Sequence, residues 1–411
     1  ATTESIAKRA VRKIKVEYEI LPHVLDPYEA AQAGAPILHE HQFTLGLEPK
    51  PKEPSNLFRT LGGEQGDLER GFENSDLVIE REFSSQPVHQ GYIEPLACVA
   101  SSSEDGAVEL WTSTQGHFVA RTLLSRLLNL DMSKFRVTAS EIGGGFGGKT
   151  TIYHEPAAIL LSMKTGRPVR SVMTRGEVLR ATGPTVGSVC RIKIGAKKDG
   201  TLVAADAEIW YQAGAFKGGP VARATDSFFS PYKIPNARTA CHDVCVNRPK
   251  AAAYRAPGAP MATWAAEAVI NELANEFGLD PIEMRLKNAV KEGDTSLMGT
   301  KHGRIGCIEV LKAAKNHPHY KASLKKNQGR GFALGYWLHG GGLSSASANL
   351  LDDGTLTLIL NTSEIKTNSQ NFSFLKNCIA TSVIAETLGV NANSINKRLK
   401  SFLPPKGRCF V

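Results

Sequence analysis

The chain has 411 residues, 42% hydrophobic and 22% charged, an ordinary globular balance that excludes a disordered or fibrous polypeptide. Its 49 basic and 40 acidic residues give a net charge of +9, scattered along the chain with short basic clusters at 8–15 and 397–400. That scatter describes a solvated surface; without a zinc-finger or RNA-binding signature beside it, no nucleic-acid partner is expected.

No apolar run reaches the roughly 18 residues of a membrane span, so no membrane association is expected. The start at Ala1 lacks an initiator Met and signal-peptide features, which points to a processed chain or a fragment. The seven cysteines are widely spaced and contain no Cys-x-x-Cys pair. They suit reduced thiols in a cytoplasmic protein and offer no zinc or iron–sulfur ligand set.

Residues 2–13 have helical spacing. Residues 14–21 alternate apolar and charged side chains, the pattern of a half-buried strand, and a short helix follows at 26–33. The stretch 39–66 is rich in Pro, Gly and charge, and Lys50 to Pro54 reads as an extended linker. Strands are expected at 77–83 and 108–114, a helix at 118–130, and a strand at 135–139 leading into a glycine cluster. A helix at 152–163 and a strand at 169–174 follow, then a hairpin of 189–194 and 202–211.

Helix 261–277 carries an apolar stripe of Ala266, Val269, Leu273 and Phe277 and ends at Gly278. Asp280, Pro281 and Glu283 then supply the cap, first-position proline and acidic third position of another helix. Beyond Arg330, strands are expected at 332–337, 343–350 and 355–360. Helices and strands mix without a clean βαβ alternation, so the expected class is α+β, with mixed sheets and packed helices.

The densest signal is the run from Gly143 to Thr150. Gly143, Gly148, Lys149 and Thr150 match a P-loop, in which Lys149 would reach phosphates and Thr150 would ligate magnesium. Gly143, Gly145 and Gly148 match a dinucleotide fingerprint, but the following strand ends in Thr174-Arg175 where an acid should hold the ribose. A third reading makes the glycines serve backbone packing alone. A loop this bare lets backbone approach something closely, and that something need not be a nucleotide.

Four further segments accompany the cluster: Gln90 to Pro95, Ser113 to Gly116, Pro231 to Asn236 and Tyr254 to Pro260. In this order, with Glu141 to Lys149 among them, the chain resembles the molybdenum-binding subunit of the xanthine dehydrogenase, aldehyde oxidase and aerobic carbon monoxide dehydrogenase family. The resemblance runs from about residue 10 to about 365. It implies a molybdenum–molybdopterin cofactor, with the cytosine dinucleotide form open. The implied reaction oxidises an aldehyde or N-heteroaromatic carbon with oxygen from water. Electrons would pass to an iron–sulfur subunit carrying [2Fe–2S] clusters and to a flavin subunit carrying FAD.

By resemblance, Gln115 matches the glutamine whose amide bonds a molybdenum oxo ligand. Phe146, between Gly145 and Gly147, matches the position whose N–H approaches the metal's ligands. Arg255 matches the cofactor-contacting arginine, and no side chain is implied to bind the metal directly. Arg223 falls where xanthine-oxidising members clamp substrate. Thr150 and Pro257 replace a glutamate and an aromatic of the purine-oxidising members, which argues against xanthine. The cysteine-bearing loop of the carbon monoxide enzymes is absent, which argues against carbon monoxide.

The domains expected on this basis are 1–45, a remnant of an N-terminal α/β domain plus linker; 46–320, a first molybdopterin-binding domain; and 321–411, the incomplete start of a second. The family's Gly-x-Gly-Glu motif, which carries its base glutamate, does not follow residue 365. Either a complementary molybdenum half-subunit supplies the glutamate, or the chain is a non-catalytic fragment. Glu94 and Glu141 are expected to be structural. A helix is expected at 384–389, followed by a basic tail of no recognised kind.

Overall fold

Two mixed sheets organise the protein, and each contains one parallel pair of strands joined through a helix. A computed structural model describes residues 1–337, 346–350 and 356–360. The chain begins with α1 (Glu4–Val11), α2 (Pro27–Ala30), β1 (Leu57–Gln65), α3 (Leu68–Glu73) and β2 (Leu77–Ser85). Then come β3 (Ala97–Ser102), β4 (Val108–Thr112), α4 (His117–Leu128), β5 (Phe135–Ala139), α5 (Glu155–Thr165), β6 (Val169–Val172) and α6 (Arg175–Ala181). The larger sheet is completed by β7 (Ser188–Ala196), β8 (Leu202–Gly214), α7 (Val221–Phe229) and β9 (Asn236–Cys245). Four helices follow, α8 (Ala259–Glu276), α9 (Pro281–Asn288), α10 (Cys307–Asn316) and α11 (Pro318–Lys321), and then a hairpin of β10 (Ala346–Leu350) and β11 (Leu356–Leu360).

The five-stranded sheet runs β1-β9-β8-β7-β2 and the four-stranded sheet β5-β4-β3-β6. The pairs β8–β9 and β4–β5 are parallel, and every other described pair is antiparallel. Alternation decides which face each strand buries. Ile192, Ile194, Ala205, Ala207, Ile209 and Tyr211 share the main core with Ala262, Ala266, Val269 and Leu273 of α8 and Phe228 of α7. The many alanines let the helices lie close to the sheet. A second core joins Cys98, Ala100, Val108 and Leu110 to Leu124 of α4 and Ile159 of α5. Val24 and Ala30 pack with Trp210, Val244 and Val246 in a third, smaller cluster.

The α+β class and most expected elements are present. The hairpin turns at Gly200, and Asp280 caps α9 by accepting from the N–H groups of Ile282 and Glu283 at 2.8 and 2.9 Å. Two expected strands are not formed. Residues 14–21 have no strand partner among the described residues, and Ile14, Val16, Tyr18 and Ile20 are all exposed. Residues 332–337 bond to side chains of α8 instead of to a strand. Asn271 donates to the Phe332 carbonyl at 3.0 Å, and the Leu334 N–H donates to Glu267 at 2.6 Å. The helix expected at 384–389 and the basic tail at 397–411 lie outside the described residues.

Candidate functional site

A parallel pair sends both of its C-terminal ends the same way, and open α/β arrangements bind ligands beyond those ends. Here the two pairs supply four such ends. From β4 the chain enters 113–116, with Gln115, and then α4. From β5 it enters the glycine cluster. From β8 it passes through 215–220 into α7, which bears Arg223, and from β9 through 246–258, with Arg255 and Pro257, into α8.

The glycine loop is the piece around which the others meet. Gln115 Oε1 accepts from the N–H groups of Gly147 at 2.9 Å and Lys149 at 3.1 Å, while its own backbone N–H donates to the Lys149 carbonyl at 2.8 Å. From the other sheet, the Arg255 N–H donates to the Phe146 carbonyl at 2.9 Å. Gln90, from the segment after β2, donates to the carbonyls of Gly183 and Ala253 and binds the same seam. The Thr150 hydroxyl turns back onto the Gly147 carbonyl at 2.7 Å.

The bareness of the loop is explained by the protein's own atoms. A Cβ on Gly145 would stand 2.6 Å from Gln115 Oε1, and one on Gly147 2.6 Å from the Ala253 carbonyl oxygen. Gly147 also has φ +103°, a conformation that only glycine adopts readily. Gly143 and Gly148 are similarly closed off by Glu94 and by Tyr92 with Gln90. At these positions the close approach that the bare loop allows is, in this structure, packing of motif against motif.

Strain is concentrated here as well. Phe146 (φ 52°) and Ala256 (φ 57°) occupy the left-handed region. The other two non-glycine residues there among the described residues are Asn129 and Asn327, a type that tolerates it. Strained backbone of this kind persists where surrounding structure over-determines it, typically at functional sites.

The site presents donors. The N–H groups of Gly145, which is buried, and Phe146 bond to no acceptor among the described residues. Helices α4, α7 and α8 begin at Gly116, Pro220 and Gly258 without a side-chain cap. Helices α5 and α10 also begin without a side-chain cap, whereas α1, α2, α3, α6 and α9 are capped by Thr3, Asp26, Asp67, Thr174 and Asp280. The starts of α7 and α8 abut: the Pro220 carbonyl oxygen lies 2.6 Å from where a Cβ on Gly258 would be. Uncapped N-termini carry partial positive charge and unpaired N–H groups, which favour anions.

Arg223 and Arg255 are exposed, and Pro257 lies between the strained Ala256 and Gly258. Together these groups suit an anionic, oxygen-rich ligand held through its own acceptor atoms. Among the described residues no three His, Cys, Asp or Glu side chains are placed to hold a metal ion. Burial pushes the Cys241 thiol up to about 12, so it is not a ready thiolate.

The P-loop reading fails on Lys149. Its side chain has no exposure and donates to Glu94 Oε2 at 2.6 Å, with its ammonium 4.9 Å from the centre of the Tyr92 ring. It cannot reach a phosphate in front of the loop. Gln90, Tyr92 and Glu94 belong to the site more fully than their motif suggests. Their alternate spacing, with Ile93 88% exposed between the last two, is the signal that three side chains of one extended segment face the loop.

Residues 50–289 match the family model of the molybdopterin cofactor-binding domain. A probable xanthine dehydrogenase subunit of Bacillus subtilis is 33% identical over 353 residues, which are 84% of this chain and 45% of that protein. The nicotinate dehydrogenase large molybdopterin subunit of Eubacterium barkeri is 30% identical over 319 residues, 77% of this chain and 72% of that one. Among solved structures, the aldehyde oxidoreductase of Desulfovibrio gigas superposes with a TM-score of 0.72 at 27% identity, over 87% of this chain and 40% of that one. The chain thus spans less than half of the first and third of these proteins.

Proposed function

This chain belongs to the molybdopterin cofactor-binding family, and from that premise we propose that it is the cofactor-binding portion of a molybdenum hydroxylase. The observation that supports this most directly is the junction at Phe146. The Gly147 N–H donates to Gln115 and the Arg255 N–H, from the other sheet, donates to the Phe146 carbonyl, which joins the ends of β4, β5 and β9 around N–H groups that bond to no acceptor among the described residues. When bound, the cofactor supplies two-electron oxidation of a carbon centre with oxygen from water.

The chain's own part is to hold and orient. Gly145 and Phe146 present backbone donors to the cofactor's acceptor atoms, and Gln115 fixes the loop that carries them. Arg255 adds positive charge beside them, and Arg223 at the start of α7 draws an anionic or carbonyl-bearing substrate toward the same mouth. Thr150 and Pro257 border that mouth. Neither is the acid or the aromatic expected for a purine. The proposed substrate is therefore an aldehyde or an N-heteroaromatic compound, a range that includes the substrates for which two of the relatives are named.

An iron–sulfur subunit and a flavin subunit would take the electrons. A cytoplasmic location belongs to the same reading, as do a first molybdopterin-binding domain at 46–320 and a second from 321. The pterin takes either its simple or its cytosine dinucleotide form. No helix among the described residues is long and apolar enough to cross a membrane.

The test is molybdenum by elemental analysis and released pterin by fluorescence, on protein purified from its host with its partners attached. A content near one cofactor per chain is expected. An intact, folded preparation with neither molybdenum nor pterin would defeat the proposal.

A further inference from the structure

Glu94 is not part of the donor surface, yet it touches the glycine loop at both ends. Its Oε2 accepts from the Gly143 N–H at 2.8 Å and from Lys149 Nζ at 2.6 Å, and its backbone N–H donates to the Gly143 carbonyl at 3.1 Å. A single carboxylate oxygen thus joins the first and last parts of the run from 143 to 149. Between those points lie the donors of Gly145 and Phe146, which bond to no acceptor among the described residues.

The burial of the two partners differs. The Lys149 side chain is fully buried, while that of Glu94 keeps 34% of its exposure. Around the ammonium stand the Tyr92 ring and, more distantly, the like charge of Arg175. Burial pulls Lys149 below its ordinary value, and Glu94 pulls the other way. A desolvated cation with one counter-charge is costly to strand, because removing its partner leaves an uncompensated buried charge. The pair also lies outside both large cores, beside the small cluster of Tyr92, Leu96 and Val178 against which Phe146 packs. Its loss therefore loosens the loop before it loosens the sheets.

We propose that Glu94 and Lys149 are positioning residues that close the glycine loop in advance, so that the Gly145 and Phe146 N–H groups are already aimed when the cofactor arrives. This rests on the loop being the cofactor-facing element. Preorganised donors lose less freedom on binding than donors that must first be ordered. The ion pair accordingly acts on cofactor affinity without touching the cofactor. The lysine that gives the loop its P-loop appearance faces backwards, and its charge is spent inside the protein.

The test compares wild-type chain, co-purified with its partners, with Glu94→Gln and Lys149→Met. Glu94→Gln keeps an acceptor for Gly143 but strands the ammonium. Lys149→Met leaves a carboxylate that water can reach, so it is the milder change and the safeguard should the first variant fail to fold. Glu267→Gln serves as a control, because it breaks the buried Glu267–Arg285 pair, whose partners Tyr232 and Leu334 do not belong to the loop.

Hydrogen exchange of the Gly143 and Gly147 N–H groups in cofactor-free protein is expected to rise about tenfold in both loop variants. Molybdenum and pterin retained after prolonged dialysis should fall by about the same factor, with Glu94→Gln the worse. The control should melt earlier with unchanged exchange at the loop. Wild-type exchange in Lys149→Met, or raised exchange with wild-type retention, would overturn the proposal. A wild-type chain that holds no pterin would instead overturn the cofactor reading, and the exchange comparison would then decide by itself whether the pair closes the loop.

Discussion

Gly145 and Gly147 show how little room a single residue has at this seam. Gly145→Ala would drive a methyl group into Gln115 Oε1, the atom that holds both Gly147 and Lys149. We expect the variant to fold with both cores intact and to lose most of its bound pterin, measured by fluorescence after release. Gly147→Ala adds a backbone cost of about 1–3 kcal/mol for its positive φ and should also lower the melting temperature. At this scale the sequence is half legible. The density of glycines announces a close approach, but what approaches them cannot be read. Their partners Glu94, Gln115 and Ala253 lie tens to a hundred residues away in the chain, and only the fold brings them together.

Elements are legible where local rules act alone. The α9 start is one example: Asp280 is readable as a cap because capping is a four-residue affair. Asp280→Ala should cost about 1 kcal/mol as a lost N-cap, and it also removes the 2.7 Å bond from the Tyr320 hydroxyl that ties α11 to α9. Urea midpoints of wild type, Asp280→Ala and Tyr320→Phe would separate the two contributions; an unchanged midpoint in Asp280→Ala would refute the capping role.

Elements are illegible where tertiary partners decide. Residues 332–337 have strand composition but are captured by Asn271 and Glu267 of α8. Strand β9 is the converse case. Asn236–Cys245 mixes Arg, Thr, His and Asp among its apolar residues, a pattern that does not announce a strand. It lies between β1 and β8, and its polar groups find partners: Asp243 accepts from Gly218 and Gly219, and His242 bonds Thr60 and Glu208. Polar pattern says exposed strand edge or loop; satisfied polar groups in a central strand look the same in sequence.

For the molecule as a whole, four histidines set a pH limit. Burial holds His89, His117, His154 and His242 below the ordinary imidazole value, and both ring nitrogens of His154 are buried without a hydrogen-bond partner among the described residues. The unfolded chain takes up protons on these rings at a higher pH than the folded chain does. Their contribution to stability is therefore present above the ordinary value of 6.5 and is lost as pH falls toward the folded values. Melting temperature should drop as pH falls through the window of about 7 to 5, and His154→Leu should flatten part of that slope. A slope unaltered by that substitution would remove His154 from the account.

The two crossovers, β4-α4-β5 and β8-α7-β9, have a consequence in time as well as in space. Each can form within its own stretch of chain, but the junction is complete only when the N–H of Arg255, after β9, meets the carbonyl of Phe146, after β5. Contacts between distant parts of a chain form late. The junction between the two loops is thus expected to form after the crossovers that it ties together.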